Sequence, residues 1–161
     1  MRRLWLMIAF ALVLTLGIQT VSAEEIPMTP VMISLMTPAQ APTPEWNVKG
    51  LRLNMLYGRC QNLYGLDVGL VNQTVGKEIG LALGLVNYAE KSFTGLQVGG
   101  VNIGDEVHAL QVGLYNEADD MSGVQVGVIN HTRMMLGVQF GLINVIDNND
   151  LSFMPIVNFF F

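Results

Sequence analysis

Gly123-Val-Gln-Val-Gly-Val-Ile-Asn130 and Gly137-Val-Gln-Phe-Gly-Leu-Ile-Asn144 stand six residues apart and are nearly the same eight residues twice. An earlier copy, Gly65-Leu-Asp-Val-Gly-Leu-Val-Asn72, has the same frame. Counting the opening Gly as the first place, the second, fourth and sixth places are apolar, and the third and fifth hold Gln and Gly. Alternation of this kind is the period of a β-strand. A helix is excluded: two glycines and several β-branched residues in every eight would cost about 1 kcal/mol per Gly alone.

Seven asparagines close these units: Asn72, Asn87, Asn102, Asn116, Asn130, Asn144 and Asn158, spaced 15, 15, 14, 14, 14 and 14 residues apart. A degenerate first unit, Gly50-Leu-Arg-Leu-Asn-Met-Leu-Tyr57, and a worn last one, Leu151-Ser-Phe-Met-Pro-Ile-Val-Asn158, bring the number to eight. Atypical units at both ends are what a repeat array requires for solubility. The fifth-place glycines are Gly69, Gly84, Gly99, Gly113, Gly127 and Gly141. Only Arg52 and Asp67 put a charge inside a unit, both at the third place; the other charges of the array lie in the connections. A charge held inside a sheet needs a partner, because its desolvation alone costs several kcal/mol. The equivalent places of Arg52 and Asp67 in adjacent units predict that the two pair.

The unit predicts an all-β fold. One closure is an eight-unit antiparallel meander, with about nine strand residues and five turn residues per repeat, rolled into a small barrel that removes the exposed edges. The narrow interior would take the Gly-Gln-Gly side, and the apolar side would face lipid. The alternating Phe153, Val157, Phe159 and terminal Phe161 resemble the closing strand of outer-membrane barrels. The alternative is a parallel β-solenoid with coils of 14–15 residues, in which identical Asn and Gln side chains stack into ladders. Against the solenoid stands the polarity of the other six residues in each coil, which would be poor partners for the apolar side.

Units of the form Gly-Leu-Gln-x-Gly-Leu-x-Asn, with Gly50-Leu-Arg-Leu-Asn-Met-Leu-Tyr-Gly58 before them and Pro155-Ile-Val-Asn-Phe159 after, resemble the bacterial surface-repeat proteins built on this motif. The resemblance spans residues 50–161. It implies an exported, surface or outer-membrane-associated protein without a known biochemical role, and a hairpin-repeat fold of the shallow, symmetric kind called a β-flower. The chain departs from the motif at Ala82 and Phe153 (Gln place), Ala109 (opening Gly) and Gly100 (apolar place). No catalytic residue comes with the resemblance.

The rest of the chain agrees with export. Met1-Arg2-Arg3, the uncharged apolar run Leu4–Ile18 and Val21-Ser22-Ala23 form the three parts of a secretory signal peptide, with cleavage expected after Ala23. Residues 24–49 form a Pro- and Thr-rich extended leader with one apolar piece, Val31–Met36, suited to a single strand. The repeat domain is 50–161. The composition, 51% hydrophobic and 13% charged, excludes a disordered tail. Losing Arg2 and Arg3 leaves six basic against 13 acidic side chains, a net charge of −7, which excludes nucleic acid and other polyanions as partners.

Chemistry is sparse. His108 and His131 fall in or beside different connections, Cys60 is the single cysteine, and no serine lies in a Gly-x-Ser-x-Gly setting. No metal or cofactor is called for. The expectation is a non-enzymatic envelope protein at the outer membrane or cell surface, with the lipid bilayer as partner; the alternative is a secreted solenoid that binds or adheres through its polar ladders.

Overall fold

The computed structural model describes residues 25–161. The expected signal peptide and its cleavage after Ala23 lie outside the described residues. Eight strands follow one another: β1 (Met28–Met36), β2 (Ala39–Ala41), β3 (Asn47–Cys60), β4 (Leu63–Thr74), β5 (Lys77–Val112), β6 (Tyr115–Val126), β7 (Ile129–Ile146) and β8 (Phe153–Phe160). They join in one sheet in the order β2-β1-β3-β4-β5-β6-β7-β8.

Apart from the short β2, the pairings through to β7 are all parallel: β1 with β3, β3 with β4, β4 with β5, β5 with β6 and β6 with β7. The register is the repeat itself. Gly50 lies beside Gly65 and Gly65 beside Gly80; Asn102, Asn116 and Asn130 are successive partners. Each repeat is therefore one coil of a β-solenoid of about seven turns, and the antiparallel barrel expected from the sequence is not what forms. At the strand spacing of ~4.8 Å the seven turns extend roughly 35 Å along the axis.

The reason lies in which side of the coil is inside. Four side chains per coil point inward. Two belong to the unit: the third place (Gln97, Gln111, Gln125, Gln139) and the closing Asn, all buried. The other two come from the polar connection: the second residue after the Asn (Thr74, Ala89, Ala118, Thr132, Ile146) and the second before the opening Gly (Leu63, Glu78, Phe93, Val107, Met121, Met135). The connection thus supplies its own inward residues and turns its charges outward. The apolar side of the unit faces out as well: Leu85 is 61% exposed, Leu114 66% and Leu142 69%. The objection to a solenoid vanishes because the apolar side was never required to meet the connection.

Glycine makes the tight winding workable. At the opening place Gly65, Gly80, Gly95, Gly123 and Gly137 have φ between +136° and +150°, and a Cβ on each would run into a backbone carbonyl of the coil before. Ala109 holds this place without being among the positive-φ residues.

Both ends are closed by chain reversals. β2 pairs antiparallel with β1, and Gln40 Nε2 donates to the Arg59 carbonyl at 2.8 Å across the open end of the first coil. The Pro- and Thr-rich segment therefore contributes two strands to the array. At the far end β8 runs antiparallel to β7, so the eighth unit caps the solenoid and adds no coil. Pro155, which lacks an N–H, and Ile156, at φ 72°, interrupt that edge strand. Both features blunt an edge against pairing with another chain.

Candidate functional site: an apolar exterior around a polar core

Amide ladders run through the core beside its apolar rows. Asn72 Nδ2 donates to Asn87 Oδ1 at 2.8 Å, and the same bond continues from Asn87 to Asn102, Asn116, Asn130 and Asn144. Each Nδ2 also donates to a main-chain carbonyl of the next coil, those of Leu83, Val98, Val112, Val126 and Phe140, at 2.9–3.1 Å. These second bonds fix the direction of the amides. The Gln ladder runs the other way: Gln111 donates to Gln97, Gln125 to Gln111 and Gln139 to Gln125, each at 2.8 Å. It stops where Ala82 takes the third place beside the bulky Phe93, and Gln97 Nε2 is left without a partner among the described residues.

The fifth-place glycines serve the Asn ladder. A Cβ on Gly127 would lie 2.6 Å from Asn116 Nδ2 and 2.9 Å from Asn130 Oδ1, and Gly84, Gly99, Gly113 and Gly141 have the same surroundings. The structure thus brings Gly69, Gly84, Gly99, Gly113, Gly127 and Gly141 against Asn72, Asn87, Asn102, Asn116, Asn130 and Asn144 at one corner of the coil. Asn158, in the reversed β8, stands apart from the chain of amides and instead donates to the Asn144 and Ser152 carbonyls. The first coil exchanges the two residue types: Asn54 is partnered with Gly69, and Gly58 with Asn72. Asn54 Nδ2 still reaches Asn72 Oδ1 at 2.7 Å, so an amide fills the same space from the other side of the corner.

Arg52 and Asp67 are partners in the ladder and are fully buried. Arg52 Nε donates to Asp67 Oδ1 at 2.8 Å, and Nη2 donates to Oδ2. Nη1 donates to the Gln73 carbonyl at 2.8 Å, Nη2 to Thr74 Oγ1 at 3.3 Å, and Asn54 Nδ2 supplies Asp67 with a further bond at 3.1 Å. Burial alone would lower the Arg52 pKa; the Asp67 charge and hydrogen bonds outweigh it and raise it. Glu78, absent from the residues the sequence singled out, completes the group. It is 3% exposed, its Oε1 has no partner among the described residues, and burial together with the Asp67 charge pushes it up to about 7, against the pull of Arg52 and Thr74. Burial also pushes the Cys60 thiol up to about 11. This polar slab separates two apolar clusters, Met32, Val48, Cys60 and Leu63 on one side and the set around Phe93, Val107, Met121 and Met135 on the other. Its signal in the sequence was a carboxylate 11 residues after Asp67, at a place where other coils carry Leu, Phe, Val or Met.

The exterior is divided lengthwise. In the six coils from Gly65 to Asn144, no residue at the second, fourth, sixth or seventh place carries a charge. β1 extends these rows with exposed Val31, Ile33, Leu35 and Met36, and β8 with exposed Phe159. The charges collect along the opposite corner. Arg133 Nη2 meets Asp120 Oδ1 at 2.9 Å, and His131 sits between Asp147 (3.2 Å) and Glu117 (3.9 Å). Asp105 is raised by partial burial and by Asp119, Glu106 and Glu90 around it. Among the described residues no group of three His, Cys, Asp or Glu side chains is placed to hold a metal ion, and no helix is long and apolar enough to cross a membrane.

No family, no curated protein and no solved structure matches this chain.

Proposed function

We propose that this is a non-enzymatic, exported envelope protein that associates with the outer membrane or cell surface through its apolar exterior. The observation that carries the reading is the placing of the unit's two sides: its Gln, Asn and buried ion pair turn inward, beside apolar clusters supplied by the connections, and its Leu, Val and Ile cover a continuous part of the outside. Contiguous exposed apolar patches on soluble monomers rarely exceed a few hundred Å². An exposed apolar surface that runs from β1 to β8 is stable against lipid and adhesive in water. The signal-peptide pattern Arg2 to Ala23 and the resemblance to surface-repeat proteins support the same location. Most of the buried amides are engaged in the ladders, which argues for a structural role.

Fractionation of the envelope tests the reading. The protein should remain in the membrane pellet through a carbonate wash and enter the detergent extract. Recovery in the wash as a water-soluble monomer would refute it and leave the alternative of a secreted binding or adhesion module.

A further inference from the structure

We infer that the solenoid lies half-embedded in one leaflet, its axis parallel to the membrane, with the charged corner in water and the uncharged rows in hydrocarbon. The inference rests on the envelope reading above and adds the orientation and the lipid chemistry. Three observations carry it.

First, the uncharged rows wrap a face and a corner of the coil, and they run without a break from Val31 and Ile33 in β1 to Phe159 in β8. A second copy of the chain would cover one flat face and leave the corner row, Leu70, Leu85, Leu114, Val128 and Leu142, in water. A fluid hydrocarbon covers all of it. The main-chain groups beneath these rows are engaged in the parallel ladder, so immersion strands few of them.

Second, the four tyrosines of the chain stand at the margins of the uncharged zone. Tyr64 is next to an opening Gly and Tyr88 next to an Asn, on opposite margins; Tyr115 at the seventh place, and Tyr57, shifted by a bulge into register with Val71 of that row, donate their hydroxyls to Glu117 Oε2 at 2.9 Å and to Gln73 Oε1. Aromatic rings with a polar tip concentrate where hydrocarbon meets headgroups.

Third, the sign of the charge selects the lipid. Glu90, Asp105, Glu106, Glu117, Asp119, Asp120 and Asp147 outnumber Arg59, Lys77, Lys91 and Arg133 on the water-facing side. Anionic headgroups would repel this corner, so adsorption is apolar in origin and is strongest on neutral lipid, opposite to a basic amphipathic helix.

The test uses residues 24–161 and vesicles of phosphatidylcholine, with and without phosphatidylglycerol. Single cysteines at Val98, in the uncharged zone, and at Asp105, on the charged corner, carry an environment-sensitive fluorophore; native Cys60 is buried and stays unlabelled. The expected result is flotation with neutral vesicles that added anionic lipid weakens and salt partly restores. Quenching by nitroxide lipid should be severalfold stronger at position 98, and quenching by aqueous iodide severalfold stronger at 105. Val98→Glu should reduce flotation at least tenfold, and Ile103→Glu, in a row that already holds Glu117, should change it little. Flotation with equal lipid quenching at both positions, or flotation only with anionic lipid, would overturn the orientation and leave membrane association standing. A water-soluble dimer that does not float and shields position 98 would overturn both.

Discussion

Arg52→Ala and Asp67→Ala should destabilise the solenoid unequally, although they remove the two halves of one ion pair. Both side chains are fully buried, and breaking such a pair from one side costs about 3–5 kcal/mol. Arg52→Ala removes the bonds to Asp67, to the Gln73 carbonyl and to Thr74, and leaves the Asp67 carboxylate with Asn54 and with Glu78 as a like-charged neighbour. The full penalty applies. Asp67→Ala leaves Arg52 with Gln73 and Thr74, and it removes the charge that helps hold Glu78 up at about 7. At pH 8 Glu78 is ionised, and once Asp67 no longer repels it, it takes over as the counter-ion of Arg52. One pKa unit of relieved repulsion is worth about 1.4 kcal/mol, so Asp67→Ala should cost roughly 2–3 kcal/mol at that pH. Replacing both residues by Gln supplies the side chain that occupies the third place in the later coils. At pH 6, with Glu78 protonated, the double variant should come within about 1 kcal/mol of the parent, much as apolar or neutral replacements of other buried ion pairs have proved tolerable. Urea unfolding of the four proteins in mild detergent, followed by far-ultraviolet circular dichroism, gives the cycle. Equal single costs that add in the double variant would show that the pair and its reserve carboxylate do not interact.

Further outcomes follow from the same geometry. Glu78 binds its proton more tightly in the folded state than the ordinary value of 4.5; its contribution is fully present below that value and is lost as pH rises through about 7, a change of roughly 3 kcal/mol. Glu78→Gln should remove this slope between the parent and variant pH–stability curves, and parallel curves would refute the assignment. Gly127→Ala places a methyl group 2.6 Å from Asn116 Nδ2 and should destabilise by about 1–3 kcal/mol as overpacking does; an unchanged urea midpoint would mean that the Asn corner is loose. Cys60, buried and with its thiol at about 11, should resist alkylation at pH 8 until urea unfolds the chain, and rapid labelling of the native protein would contradict its place in the core.

The strand, the repeat and the meeting of Arg52 with Asp67 were legible in the sequence, because each depends on neighbours within a unit or on equivalent places in adjacent units; the outward apolar side was expected only from the narrow interior of a barrel and holds in the solenoid for a different reason, the connection's own inward residues. Parallel or antiparallel winding was not legible in that way. A 14-residue repeat with alternating sides satisfies a hairpin meander and a coil equally well, since both put Gln beside Gln and Arg52 beside Asp67. Only the tertiary structure shows the bond that decides between them. From Asn72 to Asn130 each Asn donates to the amide of the next Asn and to a carbonyl of the following coil, which requires like residues stacked in one direction and Gly at the fifth place to leave room. The connection hid the rest: its alternate residues, such as Ala118 and Met121 beside Asp119 and Asp120, divide between core and water, and no local pattern marks that division until the chain has turned its second corner. Glu78 was missed for the same reason, its partners being charges that only stacking brings beside it.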